Sequence, residues 1–347
     1  MVSFAARAGG GVKIVMPLLA VSGLAFAGWL GAGLSGAGIF FGLILPYGAA
    51  LAFLAGVTWR VLSWAHSPVP FNITTTCGQQ YSLPWIRSSR LGNPHTRWGV
   101  AGRLTLEILS FRSLLRNVRH EWVDDADGAA PRLIYRASLG LWLGALVFHY
   151  SLLVVLLRHA RFFLDPVPRW LDGVEWLDSF FRVGTVPLFL SGLALVLGAL
   201  FLLLRRVWTP WLRYLSLPAD FFPLYLLLGI ALTGCMMRYS SRVDIQSVKH
   251  FCVGLARLHP AAPAGIGPLF YVHLTLVCVL FAYLPFSKLV HMASLPLSPT
   301  RNLLGAARME HHENPWNYPV SVHSYEEYEN EYRGKMKAAG IPVEKET

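Results

Sequence analysis

The chain alternates between long apolar blocks and shorter polar segments. The first block, residues 14–59, contains no Asp, Glu, Lys, Arg or His over 46 positions. As a single helix it would measure about 69 Å, more than twice the ~30 Å hydrocarbon core of a bilayer. The block must therefore turn back once, and the glycines within residues 35–38 favour the turn there. This predicts two membrane spans, residues 14–34 and 39–59.

Four further apolar blocks have the length of a membrane crossing, close to ~20 residues. They cover residues 139–157, 183–204, 221–237 and 265–287. The pattern predicts an all-α membrane protein with six transmembrane helices. A signal peptide is the competing interpretation of the first span, because Arg7 and Lys13 precede an apolar stretch that ends in small residues.

Composition agrees with a membrane protein. Of the 347 residues, 54% are hydrophobic and 14% are charged, against roughly 25% charged residues in soluble proteins. The formal net charge of +11 does not indicate nucleic acid, because the basic residues cluster between the apolar blocks. With a cytoplasmic amino terminus, 22 of the 30 Lys and Arg residues lie inside. We therefore predict that both termini are cytoplasmic.

Two polar segments are expected to carry structure outside the spans. Residues 60–137 are too long for a turn and rich in large apolar side chains, so they predict amphipathic helices on the membrane surface or against a partner. Near the carboxyl terminus, YEEYENEYRGKMKAAG predicts a short surface helix that ends at Gly340. The four cysteines form no CxxC pair, so metal chemistry would need other ligands.

Four histidines lie on or beside the predicted spans: His149, His159, His273 and His291. Ionisable residues at membrane depth are costly and are usually functional. The first two are 10 residues apart, about 80° short of three helical turns, and the last two are 18 apart, which is five turns. Two helices that each carry two inward histidines at separate depths suit two stacked b-type haems.

The third and sixth spans run in opposite directions, which sets the pairing. His149 is expected to pair with His291, and His159 with His273. The helical rises differ, ~15 Å against ~27 Å, so a tilt or a bend at Pro285 is needed. One alternative is a single haem between His149 and His273. The simplest alternative is that the four are buried histidines that only donate hydrogen bonds.

Arg158 and Arg161 flank His159 on its own helix. Arginines there can pair with haem propionates or hydrogen-bond a quinone carbonyl. They can also act only as topological anchors. Both arginines are therefore candidate quinone or propionate contacts.

The histidine segments resemble a known family. VFHYSLLVVLLRHARFF and HLTLVCVLFAYLPFSKLVH are similar to the haem b helices of the gamma subunit of respiratory nitrate reductase. A wider resemblance, from about Phe41 onward, is to the DsrM family, the membrane cytochrome b subunits of the sulfite-reduction-associated complex. It is carried by PFNITTTCGQQYSLPWI, SLPADFFPLYLLLGIALTGCMMRYSSRVDI, LSPTRNL and NPWNYPVSVHSYEEYE.

The resemblance implies a quinone-reactive dihaem cytochrome b in the cytoplasmic membrane of a prokaryote. It would carry two haem b groups on the four histidines. It would exchange electrons between menaquinone or menaquinol and a cytoplasmic iron-sulfur subunit (DsrK-like) related to heterodisulfide reductase, in dissimilatory sulfur metabolism. A periplasmic multihaem cytochrome c and further subunits (DsrJ-, DsrO- and DsrP-like) would complete the complex. Arg158 departs from the small residue of the nitrate reductase family, which leaves the quinone contacts open.

The resulting division of the chain has five parts. It comprises a first helix and turn (1–38), a second helix (39–59), a cytoplasmic partner-facing segment (60–137), a dihaem four-helix region (138–291) and a cytoplasmic tail (292–347). Two rival functions remain, a cytochrome b of another membrane redox complex and a non-redox transporter or anchor. A transporter would be expected to show an internal repeat, and the sequence shows none clearly.

Overall fold

The computed structural model describes most of the chain. The described residues are 2–34, 37–67, 78–115, 119–123, 132–183, 186–260, 265–306, 308–309, 319 and 322–344. Half of the predicted turn at residues 35–38, the segment 68–77 and most of the NPWNYP motif lie outside them.

The first half of the chain is built from long helices separated by short elements. In order these are α1 (Val2–Gly31), α2 (Ala37–Ile39), a π-helical turn (Phe40–Ile44), α3 (Leu45–Ala65), α4 (Arg97–Ser110), a 3-10 turn (Arg112–Leu115), β1 (Arg119–Val123), β2 (Arg132–Arg136), α5 (Leu139–His159), a 3-10 turn (Ala160–Phe162) and α6 (Arg169–Asp178).

The second half continues in the same manner. It contains β3 (Phe181–Val183), β4 (Val186–Leu188), α7 (Leu190–Trp208), α8 (Pro210–Leu215), α9 (Pro218–Tyr239), α10 (Ile245–Ala256), α11 (Pro268–Tyr283), two 3-10 turns (Leu284–Phe286 and Lys288–Val290), α12 (His291–Leu297), α13 (Pro299–Asn302) and α14 (Tyr325–Ala338). The strands form two antiparallel hairpins, β1–β2 and β3–β4.

Six helices in the described residues are long and apolar enough to cross a membrane. They span Gly11–Gly31, Phe40–Ala65, Leu139–Phe162, Leu190–Trp208, Pro218–Tyr239 and Pro268–Phe286. The prediction of an all-α membrane protein with six spans is confirmed.

The predicted start of the fourth span, at residue 183, is wrong. Residues 181–183 and 186–188 pair as the strands β3 and β4, with Arg182 opposite Pro187, and the helix begins at Leu190. Hydropathy alone did not separate this apolar hairpin from the helix behind it. The helix also continues past residue 204 to Trp208, so that Arg205 and Arg206 lie in its last turn.

Each long helix packs against one or more neighbouring helices. α5 packs on α7, α7 on α9 and α9 on α11, while α1 fills the groove between α9 and α11, and α3 covers α11. One buried cluster joins the first three of these helices and consists of Phe148, Leu195, Ala199, Leu227 and Ala231. A second joins α1, α9 and α11 and consists of Val21, Leu226, Val272 and Leu276. α7 and α9 therefore connect α5 to α11.

Glycines allow two of these contacts to be close. A Cβ on Gly198 would lie 3.0 Å from the Cα of Phe148, and a Cβ on Gly28 would lie 2.8 Å from Thr275 Oγ1. Small residues at such crossings are the usual means of packing helices in membranes. The first helix is thereby an integral part of the bundle.

The segment between the second and third spans is only partly helical. α4 is the amphipathic helix that was expected there, but residues 119–123 and 132–136 form a hairpin instead of a further helix. In the tail, α14 ends at Ala338, and Gly340 follows with a positive φ of 69°, so the predicted helix and its end are confirmed.

Candidate haem-binding site

The structure brings the four histidines together as two pairs. The His149 ring, in the middle of α5, lies 6.1 Å from the His291 ring between centroids. The His159 ring, at the end of α5, lies 6.5 Å from the His273 ring of α11. Each pair thus links α5 to the chain segment of α11 and α12. The alternative pairing of His149 with His273 has no such contact among the described residues.

The expectation that His273 and His291 share one continuous helical face is wrong. α11 ends at Tyr283, Pro285 lies in a 3-10 turn, and Ser287 is extended. Proline has no N–H for a helical hydrogen bond and clashes with the preceding turn, which accounts for the break. His291 is instead the first residue of α12.

A buried carboxylate holds the broken segment in place. Lys288 Nζ donates to Asp220 Oδ1 of α9 at 2.6 Å, and the Asp220 side chain is only 6% exposed. The carbonyl oxygen of Lys288 lies 2.9 Å from His291 Nδ1. The ion pair therefore connects the segment that carries His291 to α9.

All four imidazoles make a hydrogen bond through Nδ1. His149 contacts the Ala145 carbonyl at 2.8 Å, His159 the Val155 carbonyl at 2.7 Å, and His291 the Lys288 carbonyl. A carbonyl can only accept, so in these three rings Nδ1 carries the proton. The Nε2 lone pair of each ring is then free for a metal ion.

In His273 the acceptor for the Nδ1 proton is a threonine hydroxyl. Its Nδ1 lies 2.9 Å from Thr233 Oγ1 of α9, and that hydroxyl donates to the Gly229 carbonyl at 2.8 Å. Because the hydroxyl proton is used in this way, the threonine oxygen accepts from His273 Nδ1.

The two pairs fit axial ligation of haem iron. An imidazole nitrogen binds a first-row metal at about 2 Å and the ring centroid lies roughly 1 Å farther, so two axial imidazoles have centroids about 6 Å apart. The observed centroid distances of 6.1 and 6.5 Å match this spacing. Each pair would therefore suit a planar cofactor whose metal takes one imidazole on each face.

Aromatic rings border both pairs. Phe111, which follows α4, lies 4.9 Å from the His149 ring, and Phe162 lies 5.8 Å from the His159 ring. Sequence reasoning missed Phe111, Thr233 and Lys288. Only the last has a local signal, since it stands three residues before a candidate ligand.

The two candidate arginines are engaged with acidic residues of α6. Arg158 Nη1 donates to Asp178 Oδ2 at 2.7 Å, and its guanidinium lies 3.3 Å from the centroid of the Phe189 ring. Ser191 donates to both oxygens of Asp178. Arg161 forms an ion pair with Glu175. Arg158 is thus held beside His159, and its Nε is buried without a hydrogen-bond partner.

Comparison with known proteins assigns the family. The model of the nitrate reductase gamma subunit family matches residues 128–302, which contain all four histidines. The chain belongs to the nitrate reductase gamma subunit family. It is a multi-pass membrane subunit of the cytochrome b type with an electron-transfer role.

Individual relatives extend the similarity beyond this region. The Hdr-like menaquinol oxidoreductase cytochrome b-like subunit of Archaeoglobus fulgidus is 43% identical over 82% of the chain and 85% of its own length. The protein of the same description from Archaeoglobus profundus is 36% identical over 79% of the chain and 81% of its own length. The respiratory nitrate reductase 1 gamma chain of Escherichia coli is 27% identical over 46% of the chain and 73% of its own length.

Proposed function

We propose that the chain binds two haem b groups, one between His149 and His291 and one between His159 and His273. The observation that supports this most directly is the pair of centroid distances together with the four hydrogen-bonded Nδ1 atoms. Bound haem supplies one-electron transfer; the protein's residues hold the iron and orient the rings.

The proposed electron donor or acceptor in the membrane is menaquinol or menaquinone. Support comes from the relatives, two of which are named menaquinol oxidoreductase subunits. We place its reaction at the His159 end of the bundle, where Arg158 and Arg161 lie beside a candidate ligand. A guanidinium there can stabilise a quinol oxyanion, and Asp178 limits how Arg158 can move toward it.

The proposed redox partner is a heterodisulfide-reductase-like iron-sulfur subunit on the cytoplasmic side, in a prokaryotic cytoplasmic membrane. The word "Hdr-like" in the names of two relatives supports this class of partner. The DsrK-, DsrJ-, DsrO- and DsrP-like subunits and a role in dissimilatory sulfur metabolism belong to the proposal as well. The excess of basic residues at the His291 end supports placing that end, with both termini, inside.

Haem counting tests the proposal. Pyridine-haemochrome analysis of the purified protein should return two haems per chain. His149→Ala and His159→Ala should each remove one haem and leave the other reducible. His66→Ala is the matched control, because His66 makes the same Nδ1 contact to a helix carbonyl, that of Leu62, outside both pairs.

The result can contradict the proposal in two ways. One haem in the wild type, unchanged by His159→Ala, would favour a single site. The absence of reduced b-type absorption bands would instead favour a transporter or an anchor.

A further inference from the structure

After its exposed first residue, Arg97, α4 carries its charges on its inner side and large apolar side chains on its outer side. Arg103 and Glu107 are the only charged residues from Trp98 to Ser110, and they are 1% and 4% exposed. Trp98 is 88% exposed, whereas Ile108 and Leu109 are 49% and 56% exposed. This is the reverse of a helix that faces water on its outer side.

The buried charges are joined to other parts of the chain. Arg301, in α13, donates to Glu107 Oε1 at 3.3 Å and to Ser113 Oγ at 2.9 Å. Ser113 in turn donates through its backbone N–H and its hydroxyl to the Glu107 carboxylate. The Glu107 carboxylate is therefore satisfied within the protein, whereas Nε and Nη2 of Arg103 are buried without a hydrogen-bond partner.

The carboxyl end of α4 is attached to the membrane-spanning part of α5. Trp142 Nε1 donates to the Ser110 carbonyl at 2.7 Å, and Tyr150 Oη donates to the Leu109 carbonyl at 2.7 Å. These donors lie three and eleven residues beyond Leu139, where α5 begins, or about 4 and 16 Å along its axis. The end of α4 thus lies at a depth inside the span Leu139–Phe162.

Three of the last four carbonyls of α4 accept hydrogen bonds within the protein. Those of Ser110 and Leu109 accept from Trp142 and Tyr150, and that of Glu107 accepts from Phe111 N at 3.2 Å. A helix end in water needs no such set, because water binds its free carbonyls. Within a bilayer the protein itself must supply the donors.

From this geometry we propose that α4 enters the bilayer from the end of the bundle where His291 lies, with its carboxyl end innermost. Its outer face, formed by Leu106, Ile108 and Leu109, contacts lipid acyl chains. The neighbouring surface of α5 supports this occupant, since Leu143 of the same span is 57% exposed. A soluble iron-sulfur partner would dock farther out, against the polar segments.

Site-directed spin labelling tests the proposal. The chain is prepared with its four cysteines replaced by alanine, labelled at Ile108→Cys or at Trp98→Cys, and reconstituted into phosphatidylethanolamine–phosphatidylglycerol vesicles. Leu143→Cys is the lipid-facing control, and Val322→Cys, at a residue 85% exposed before α14, is the water-facing control. Collision rates are measured with oxygen and with a water-soluble nickel chelate.

The expected ratio of oxygen to nickel collisions at position 108 is several-fold above that at position 322 and close to that at position 143. It should also exceed the ratio at position 98, because α4 is tilted inward. A ratio at 108 equal to that at 322 would overturn the proposal, and so would equal ratios at 98 and 108, which indicate a helix lying on the surface. A label at 108 shielded from both agents in the assembled complex would assign the face to another subunit. A Leu109→Cys label repeats the measurement if the first variant does not accumulate.

Discussion

Replacing Thr233 by valine should weaken haem binding at the His159–His273 site and leave haem binding at the other site unchanged. The Thr233 hydroxyl accepts the Nδ1 proton of His273 at 2.9 Å and donates to the Gly229 carbonyl at 2.8 Å. Valine has nearly the same shape, so the substitution removes these bonds without opening a cavity. His149 and His291 have other hydrogen-bond partners, so binding at their site should not change.

The size of the effect follows from the bonds that are lost. A neutral hydrogen bond contributes about 1 kcal/mol, and a buried N–H without a partner costs about 1–3 kcal/mol. A total loss near 2 kcal/mol corresponds to a roughly 30-fold lower affinity for haem, since every 1.4 kcal/mol changes an affinity about tenfold. Removing a partner of a metal-bound histidine typically costs about 10–100-fold in affinity, which is the same range.

The assay is haem transfer to excess apomyoglobin, followed by absorbance. Carrying both variants in the His149→Ala background leaves only the His159–His273 site occupied. Thr275→Val is the matched control: Thr275 is on the same helix as His273 and donates only to the Tyr271 carbonyl, at 2.7 Å. Thr233→Val should release haem roughly 30-fold faster than this control. Equal release rates would refute the reasoning that the Nδ1 contact orients the ligand.

Two further substitutions test the two ends of the bundle. Arg158→Gln should slow haem reduction by a menaquinol analogue several-fold while both haems stay bound; loss of haem in proportion to activity would indicate a propionate contact instead. Lys288→Met should lower occupancy of the His149–His291 site, because it breaks the 2.6 Å ion pair with Asp220 and frees the backbone that orients His291, and Lys288→Arg should restore it. Normal occupancy in Lys288→Met, measured by pyridine haemochrome, would contradict the positioning role.

Much of the membrane architecture was predictable because it depends on local length and polarity. A block of about 20 apolar residues crosses a bilayer wherever it occurs in a chain. Boundaries were less predictable: the apolar residues of β4 come directly before the helix, and the strand pairing separates them from it. The end of α14 was predicted because Gly340 is a local signal.

The candidate ligands of the site were predictable from the sequence, but the residues that contact them were not. The four histidines stand out by chemistry, since ionisable residues near apolar spans are rare. Thr233 is 40 residues from His273, and Phe111 is 38 residues from His149. No periodic pattern joins residues so far apart, because each contact depends on how two helices pack.

The sequence by itself determined six spans, the antiparallel order of the helices and which histidines could meet. These follow from hydropathy, charge and direction along the chain. Only the tertiary structure decided that α11 breaks before His291, that a buried Asp220 pairs with Lys288 in the following turn, and that Glu107 of α4 is buried against Arg301. These features arise from contacts between distant segments, where the free energy of burying a charge or a carbonyl depends on partners that the local sequence does not contain.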